Sequence, residues 1–170
     1  NESDPVAVRG PLATRYVQQF LRNVAWGDVD FLILDLPPGT GDIQLTIVQT
    51  AELDGVVVVT TPQEVALIDA RKAIGLFERV ETPILGIIEN MSYFQCPSDG
   101  KIYHIFGEGG GEREAAKLGV PLLGKIPLDI STRSGGDEGR PVALEDPGQN
   151  PVSAAFRQVA EQCARVVLDR

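Results

Sequence analysis

The sequence predicts an α/β fold in which a doubly wound, mostly parallel sheet carries helices on both faces. Two observations support this prediction. Short, continuously apolar runs are typical of strands buried on both sides, and segments with helical spacing of apolar residues alternate with them, as βαβ units require. The predicted strands are Asp30 to Leu36, Gly55 to Thr61, Ile84 to Glu89 and, more weakly, Pro121 to Ile126.

The helices are predicted from apolar stripes and from residues that favour helix ends. A first helix starts at Pro11, a second follows the Gly39-Thr40-Gly41-Asp42 loop, a third follows Thr61, a short one covers Glu112 to Leu118, and the last runs from Asn150-Pro151 to about Leu168. Thr61-Pro62-Gln63-Glu64 resembles a capping box, with a hydroxyl at the N-cap and a carboxylate three residues later. The stretch Ser131 to Asn150, rich in Gly, Pro and charge, is predicted to be a long surface loop.

Composition and charge exclude several classes of protein. The 170 residues are 43% apolar, enough for one globular domain spanning 1–170. The formal charge is -9 and no basic run occurs, so nucleic acid is not expected as a partner. No apolar stretch approaches the roughly 20 residues that span a bilayer, so no membrane is expected either. Two cysteines suit a reducing compartment, and we expect a cytoplasmic protein. The chain opens at Asn1 without an initiator Met, which predicts a fragment of a longer protein.

The strongest candidate site lies around Asp35. A carboxylate at the carboxyl end of a parallel strand occupies the position where open α/β sheets bind ligands. The glycines that follow, Gly39 and Gly41, would let backbone amides point at an anion in front of the next helix. Such a phosphate site would let Asp35 hold Mg²⁺, directly or through water. The alternative is a strand end with a tight turn and a helix N-cap at Asp42, and this segment alone does not decide between the two.

Several longer motifs resemble those of the Mrp/ApbC family. They occur in order along nearly the whole chain: Trp26-Gly27, then Asp35-Leu36-Pro37-Pro38-Gly39-Thr40-Gly41-Asp42, then Gly86-Ile87-Ile88-Glu89-Asn90-Met91-Ser92-Tyr93-Phe94, then Ile105-Phe106-Gly107 and Gly124-Lys125-Ile126-Pro127-Leu128-Asp129. Members of this family are P-loop ATPases of the MinD-like group that carry iron-sulfur clusters. The resemblance implies the C-terminal part of a single P-loop ATPase domain, with ATP and Mg²⁺ bound.

The resemblance also implies roles for single residues. Asp35 matches the Asp associated with Mg²⁺, and Pro38, Gly39, Thr40, Gly41 and Asp42 match the loop that senses the γ-phosphate. Asn90 matches the residue whose amide recognises adenine, which suits a side chain with both a donor and an acceptor. Pro127 matches the turn whose backbone lines the base pocket.

Two departures from the family pattern affect these implications. No Gly-x-x-x-x-Gly-Lys-Ser/Thr motif occurs, so the loop that cradles the phosphates is absent and this chain should not hydrolyse ATP alone. Where the family has Cys-Pro-x-Cys, this chain has Cys96-Pro97-Ser98-Asp99. In the family, two such pairs hold one [4Fe-4S] cluster across a homodimer. Here Cys96 is a candidate ligand, with Asp99 as a harder and weaker one, so the cluster should be labile.

Three functions follow as hypotheses. The first is an ATP-binding carrier that assembles or transfers a [4Fe-4S] cluster to apo iron-sulfur proteins, driven by an ATP-dependent switch of the homodimer. The second is a MinD/ParA-like ATPase without a cluster, in which Cys96 is an exposed loop thiol. The third is a non-catalytic interaction module that keeps the fold alone. Cys163 lies on the apolar stripe of the last helix and is expected in the core.

Overall fold

The structure, a computed structural model, describes residues 10–37, 39 and 41–170. Two units, Asn1–Leu53 and Asp54–Arg170, hold most of their contacts within themselves. The interpretation of 1–170 as the C-terminal part of a single P-loop ATPase domain stays a prediction.

Helices and parallel strands alternate through most of the chain. The helices are α1 (Gly10–Asn23), α2 (Asp42–Thr50), α3 (Glu64–Arg79), α4 (Gly110–Leu118), α5 (Ile130–Asp137) and α6 (Pro151–Leu168), with a 3-10 helix at Val142–Leu144. The strands are β1 (Val56–Thr60), β2 (Ile84–Glu89), β3 (Phe94–Gln95), β4 (Ile102–Tyr103) and β5 (Leu122–Lys125). Within the described residues, no helix is both long and apolar enough to cross a bilayer.

The second unit is built on a three-stranded parallel sheet in the order β1-β2-β5. Its apolar strands are the runs at 55–61, 84–89 and 121–126 that the sequence predicts, so those three predictions are confirmed. The small strands β3 and β4 form an antiparallel hairpin that sequence reasoning missed.

Alternate residues of the sheet build two cores. On one face Val58 and Ile87 pack with buried residues of α3 and α4, such as Ile74 and Ala115. On the other face Ile88 and Leu123 pack with Val159 of α6. Helices therefore cover both faces, which confirms the predicted α/β fold class.

An ion-pair network joins α3 to α4. Glu114 is only 4% exposed, and its two oxygens accept from Arg71 Nε at 2.9 Å and Arg71 Nη2 at 2.6 Å. Lys117 Nζ donates to the same carboxylate at 2.8 Å, and Arg71 also reaches Glu64 at 2.7 Å. Paired in this way, the Glu114 carboxylate has its pKa lowered from 4.5 to about 2, chiefly by the hydrogen bonds from Arg71.

The predicted buried strand at Asp30 to Leu36 is wrong. The structure assigns no strand to it, and Phe31, Leu32 and Ile33 are exposed, Ile33 by 87%. A strand needs a hydrogen-bonded neighbour for its backbone groups. No described residue pairs with this segment, so its apolar pattern alone does not produce a strand.

The capping box predicted at Thr61 is also wrong. Helix α3 begins at Glu64 with Gln63 as its N-cap, and no side chain caps it. Glu64 turns to Arg71 instead of reaching back to Thr61. The hydroxyl of Thr61 is buried and has no partner among the described residues.

The predicted long loop from Ser131 to Asn150 contains helix α5 and the 3-10 helix. The reason lies at Asp129, whose carboxylate accepts from the amides of Ser131 and Thr132 and so caps α5. An N-cap of this kind satisfies amides that otherwise lack partners, and it starts a helix despite the glycines inside it.

Candidate functional site

The first unit contains the residues expected to handle phosphate. Asp35 is exposed, and Gly39 and Gly41 lie in the loop before α2, with Gly39 at a φ of 100° that favours glycine. Pro38 and Thr40 lie outside the described residues. Asp42 is the first residue of α2, and its side chain is likewise not described.

The alternative prediction, in which Asp42 is the N-cap of α2, is wrong. Gly41 is the N-cap, in an extended conformation, and no side chain caps the helix. The first amides of a helix have no partners within it, and together with the helix dipole they favour an anion. The N-terminus of α2 is thus compatible with phosphate binding, which stays a prediction.

Gln44 fixes the preceding loop to α2, and sequence reasoning missed it. Its side chain is buried, 4% exposed, and Nε2 donates to the carbonyl oxygen of Pro37 at 2.7 Å. The sequence signal that could have identified Gln44 is a polar residue on the buried face of a predicted helix. Gln44 therefore restricts where the loop after Asp35 can lie.

In the second unit, Asn90 and Pro127 lie at the carboxyl ends of adjacent strands. Asn90 follows β2, and its backbone N–H donates to the carbonyl oxygen of Thr60 at 2.7 Å. Pro127 is buried and follows Ile126, whose carbonyl accepts from Ser92 N at 3.0 Å. The structure thus places these two predicted residues on neighbouring turns at one edge of the sheet.

The Asn90 side chain has a defined orientation. Its Oδ1 accepts from the amide of Met91 at 2.9 Å. Because an amide N–H can only donate, the oxygen must face it, and the NH₂ group points the other way. Among the described residues this NH₂ has no acceptor, so it is available to an acceptor on a ligand.

Cys96 and Asp99 lie together in the turn between β3 and β4. The turn is closed by Cys96 N donating to Lys101 O and by Gly100 N donating to Cys96 O, both at 2.8 Å. The Cys96 thiol is 3.0 Å from Ser98 Oγ, and Asp99 accepts from Lys101 N at 3.0 Å. The turn therefore presents a partly exposed thiol next to an exposed carboxylate.

The two thiols of the chain have opposite pKa shifts. Hydrogen bonds from the hydroxyl and amide of Ser98 lower the pKa of Cys96 below its usual value. Burial raises the pKa of Cys163, which packs against the core beneath α6, as predicted. The lowered pKa favours the thiolate that binds metal at Cys96.

Within the described part of the chain, no group of three or more His, Cys, Asp or Glu side chains could hold a metal ion. One copy therefore offers Cys96 and Asp99 alone from this turn, too few for an iron-sulfur cluster, which uses four ligands. Two copies would offer two of each.

Comparisons with known proteins identify the family of the chain. A family model described as the NUBPL iron-transfer P-loop NTPase, of the ParA group, matches residues 1–164. The chain belongs to this family. It is 49% identical over 161 residues to the iron-sulfur cluster carrier protein of Pyrococcus furiosus, covering 95% of this chain and 54% of the relative. The chain thus spans about half the length of that relative.

Solved structures of P-loop NTPases show the same fold. A nucleotide-binding protein from Archaeoglobus fulgidus, in complex with ADP, matches with a TM-score of 0.69 at 43% identity, over 76% of this chain and 53% of that one. The cell division ATPase MinD of Pyrococcus furiosus matches with a TM-score of 0.66 at 25% identity, over 90% of this chain and 59% of that one. These matches confirm the predicted fold and family.

Proposed function

We propose that the protein is an ATP-binding carrier that assembles or transfers a [4Fe-4S] cluster to apo iron-sulfur proteins, in the cytoplasm. The observation that carries this proposal is the Cys96 thiol. It is partly exposed, its pKa is lowered, and it lies in a turn six positions after Asn90 in a chain of the iron-transfer family. The Pyrococcus furiosus relative, which is named an iron-sulfur cluster carrier protein, supports it.

The cluster is cargo in this proposal, shared by a homodimer. Two copies bring two Cys96 thiolates together, with the Asp99 carboxylates as additional oxygen ligands. Because carboxylate is a harder and weaker donor to iron than thiolate, cargo held in this way leaves readily, which suits transfer to an acceptor.

Candidate nucleotide-binding residues occur in the first unit and, separately, in the second unit. Asp35 holds Mg²⁺, directly or through water, and the loop of Pro38, Gly39, Thr40, Gly41 and Asp42 responds to the terminal phosphate. The NH₂ group of Asn90 and the turn at Pro127 contact adenine. When bound, a magnesium nucleotide would supply charge next to the 38–42 loop, and we propose that release of the cluster depends on an ATP-dependent switch of the homodimer. The chain has no phosphate-loop motif, and we assign it no hydrolysis by itself.

A MinD/ParA-like ATPase without a cluster is the second candidate. The specific observation that favours it is Asp99, which stands where the family pattern has a second cysteine. The match to MinD is compatible with it, although at lower identity than the matches to carriers.

Anaerobic reconstitution separates the two candidates. Protein expressed from its complete reading frame is treated with iron and sulfide, and iron per dimer and visible absorption are measured. We expect wild type to bind iron, Cys96→Ala to lose it, and Asp99→Cys to hold it longer against a chelator. Cys163→Ala is the matched control, since that thiol packs in the core.

Two results would overturn the carrier. The first is wild type and Asp99→Cys both binding no iron. The second is iron binding that Cys96→Ala leaves unchanged. With ATP binding retained, either result supports the cluster-free ATPase.

A further inference from the structure

Glu89 is a buried carboxylate that the proposed function does not yet use. It is the last residue of β2, between Thr60 of β1 and Lys125 of β5, and it is 0% exposed. Burying a carboxylate opposes folding unless its oxygens are hydrogen-bonded, and an apolar side chain would fill the position at lower cost. The hydrogen-bond partners of the two carboxylate oxygens therefore indicate the role of Glu89.

Each oxygen accepts a hydrogen bond from a different structural element. Oε1 accepts from Ser92 Oγ at 2.5 Å, and Oε2 accepts from Gly111 N at 2.6 Å. Gly111 is the second residue of α4, so the carboxylate lies at a helix N-terminus, where an unpaired amide and the helix dipole favour negative charge. Glu89 thus connects the turn after β2 to the start of α4.

Glycine at 111 allows this connection without a shift of the Glu89 side chain. A Cβ built at this position would lie 3.0 Å from Glu89 Cβ and 3.2 Å from Oε2. A larger residue here would require the Glu89 side chain to move by a few tenths of an ångström. The backbone of α4 therefore lies close to the Glu89 side chain.

The turn that Glu89 holds is the one that orients Asn90. Met91, between Asn90 and Ser92, has a φ of 52°, a left-handed conformation that residues other than glycine seldom adopt. Such a conformation persists where its surroundings fix it. The Met91 amide, in turn, fixes the Asn90 carboxamide at 2.9 Å.

We propose that Glu89 is a positioning residue for base recognition: through Ser92 and Gly111 it holds the 90–92 turn so that the Asn90 NH₂ group faces an acceptor on the nucleobase edge. Glu89 itself does not touch the nucleotide. This inference rests on the proposed function of Asn90. It adds that discrimination between bases depends on a buried carboxylate behind the binding residue.

The test separates contacts to the base from contacts to phosphate. Dissociation constants for ADP, GDP and pyrophosphate are measured by competition against a fluorescent adenine nucleotide, with protein expressed from its complete reading frame. Ser92→Ala is the first variant because it removes one hydroxyl, and Glu89→Gln is the second. We expect both to weaken ADP about tenfold, the effect of one well-oriented hydrogen bond, while pyrophosphate affinity changes less than about twofold.

Glu114→Gln is the matched control. It also removes a buried carboxylate that binds α4 to another element, but its partners are Arg71 and Lys117, and neither belongs to the 90–92 turn. We expect this variant to lose stability and to keep the wild-type ratio of GDP to ADP affinity.

The measured affinities distinguish failure of the Asn90 role from failure of the Glu89 role. Wild type without a preference for adenine would overturn the proposed role of Asn90. Wild type with that preference, and folded Ser92→Ala or Glu89→Gln that keep it, would overturn the inference about Glu89 alone. An equal loss of discrimination in Glu114→Gln would also overturn it, because the effect would then be general loosening.

Discussion

Replacing Glu114 by Gln should remove a contribution to stability that depends on pH. The pKa of Glu114 is lowered from 4.5 to about 2, so folding favours the carboxylate over the acid. Each tenfold change in an acid dissociation constant corresponds to about 1.4 kcal/mol, and this lowering therefore corresponds to about 3 kcal/mol. Arg71 has a side chain that is 38% exposed, so solvent screens part of the attraction and we expect a loss of about 2 kcal/mol.

The direction of the pH effect follows from the lowered pKa. The contribution is fully present above the unfolded-state pKa of 4.5 and disappears as the pH falls through about 2. Wild type and Glu114→Gln should therefore differ most near pH 7 and converge as the pH falls below about 4.5. Urea unfolding at a series of pH values, on proteins with equal m-values, measures both quantities.

Two results would refute this reasoning. If Glu114→Gln were within about 0.5 kcal/mol of wild type at pH 7, the pair would contribute no more than an ordinary surface contact. If the difference stayed constant from pH 7 to pH 3, its cause would be packing instead of charge. Lys72→Gln, which removes an exposed ion pair to Asp69 within α3, is the control and should cost less than about 0.5 kcal/mol.

Three further predictions concern single contacts in the second unit. Gly124→Ala should lower stability by about 1 to 3 kcal/mol in urea unfolding, because a Cβ there would lie 2.5 Å from Val159 Cγ2. Asn150→Ala should lower it by about 1 kcal/mol, because Oδ1 caps α6 by accepting from two backbone amides. At pH 7.5, Cys96 should be alkylated by iodoacetamide faster than Cys163, because the pKa of the first thiol is lowered and that of the second is raised; peptide mass spectrometry measures both rates.

Each of these predictions has a control in the same chain. A Cβ at Gly75 of α3 would meet nothing within 4 Å, so Gly75→Ala should not destabilise the protein. Equal stability of Gly124→Ala and wild type would contradict the close approach of α6. Asn150→Asp should retain the cap that Asn150→Ala loses. Equal alkylation of both thiols, or faster reaction at Cys163, would contradict the assigned pKa directions.

The sheet could be predicted where the apolar runs also find partners. The runs at 56–60 and 84–89 pair with one another, and their alternate residues face helices on the two sides. The run at 31–34 is also continuously apolar, but Phe31, Leu32 and Ile33 are exposed. An apolar run shows that a segment can be buried in a sheet. Whether it forms a strand depends on a hydrogen-bonded neighbour from a distant part of the sequence, and the run itself does not show whether that neighbour exists.

Helix starts were predicted well where a cap is local and wrongly where a distant partner competes. Asn150 caps α6 as its sequence suggests. Glu64 could have completed a capping box, but its carboxylate binds Arg71, which lies seven residues later in the same helix. Helix α3 therefore starts later than predicted. Asp129 supplies a cap that the glycine-rich composition after it concealed.

The sequence identifies exposed candidate site residues, whose roles stay predictions, and it does not identify the buried residues that support them. Asn90 and Cys96 belong to motifs that can be read along the sequence, and the structure places them on connected turns. Glu89 and Gln44 were missed, because their roles depend on contacts to Gly111 and Pro37. The available signal was a polar residue in a buried position of an otherwise apolar strand or helix.

The turn between β3 and β4 leaves the chemistry at its tip open to change. Its residues Pro97, Ser98 and Asp99 are exposed and contribute no side chain to either core. Exchanges at such positions usually alter stability by less than about 0.5 kcal/mol. A lineage could therefore exchange a thiolate for a carboxylate here, or reverse the exchange, by a single amino-acid substitution, while the folded scaffold that presents the tip is inherited unchanged.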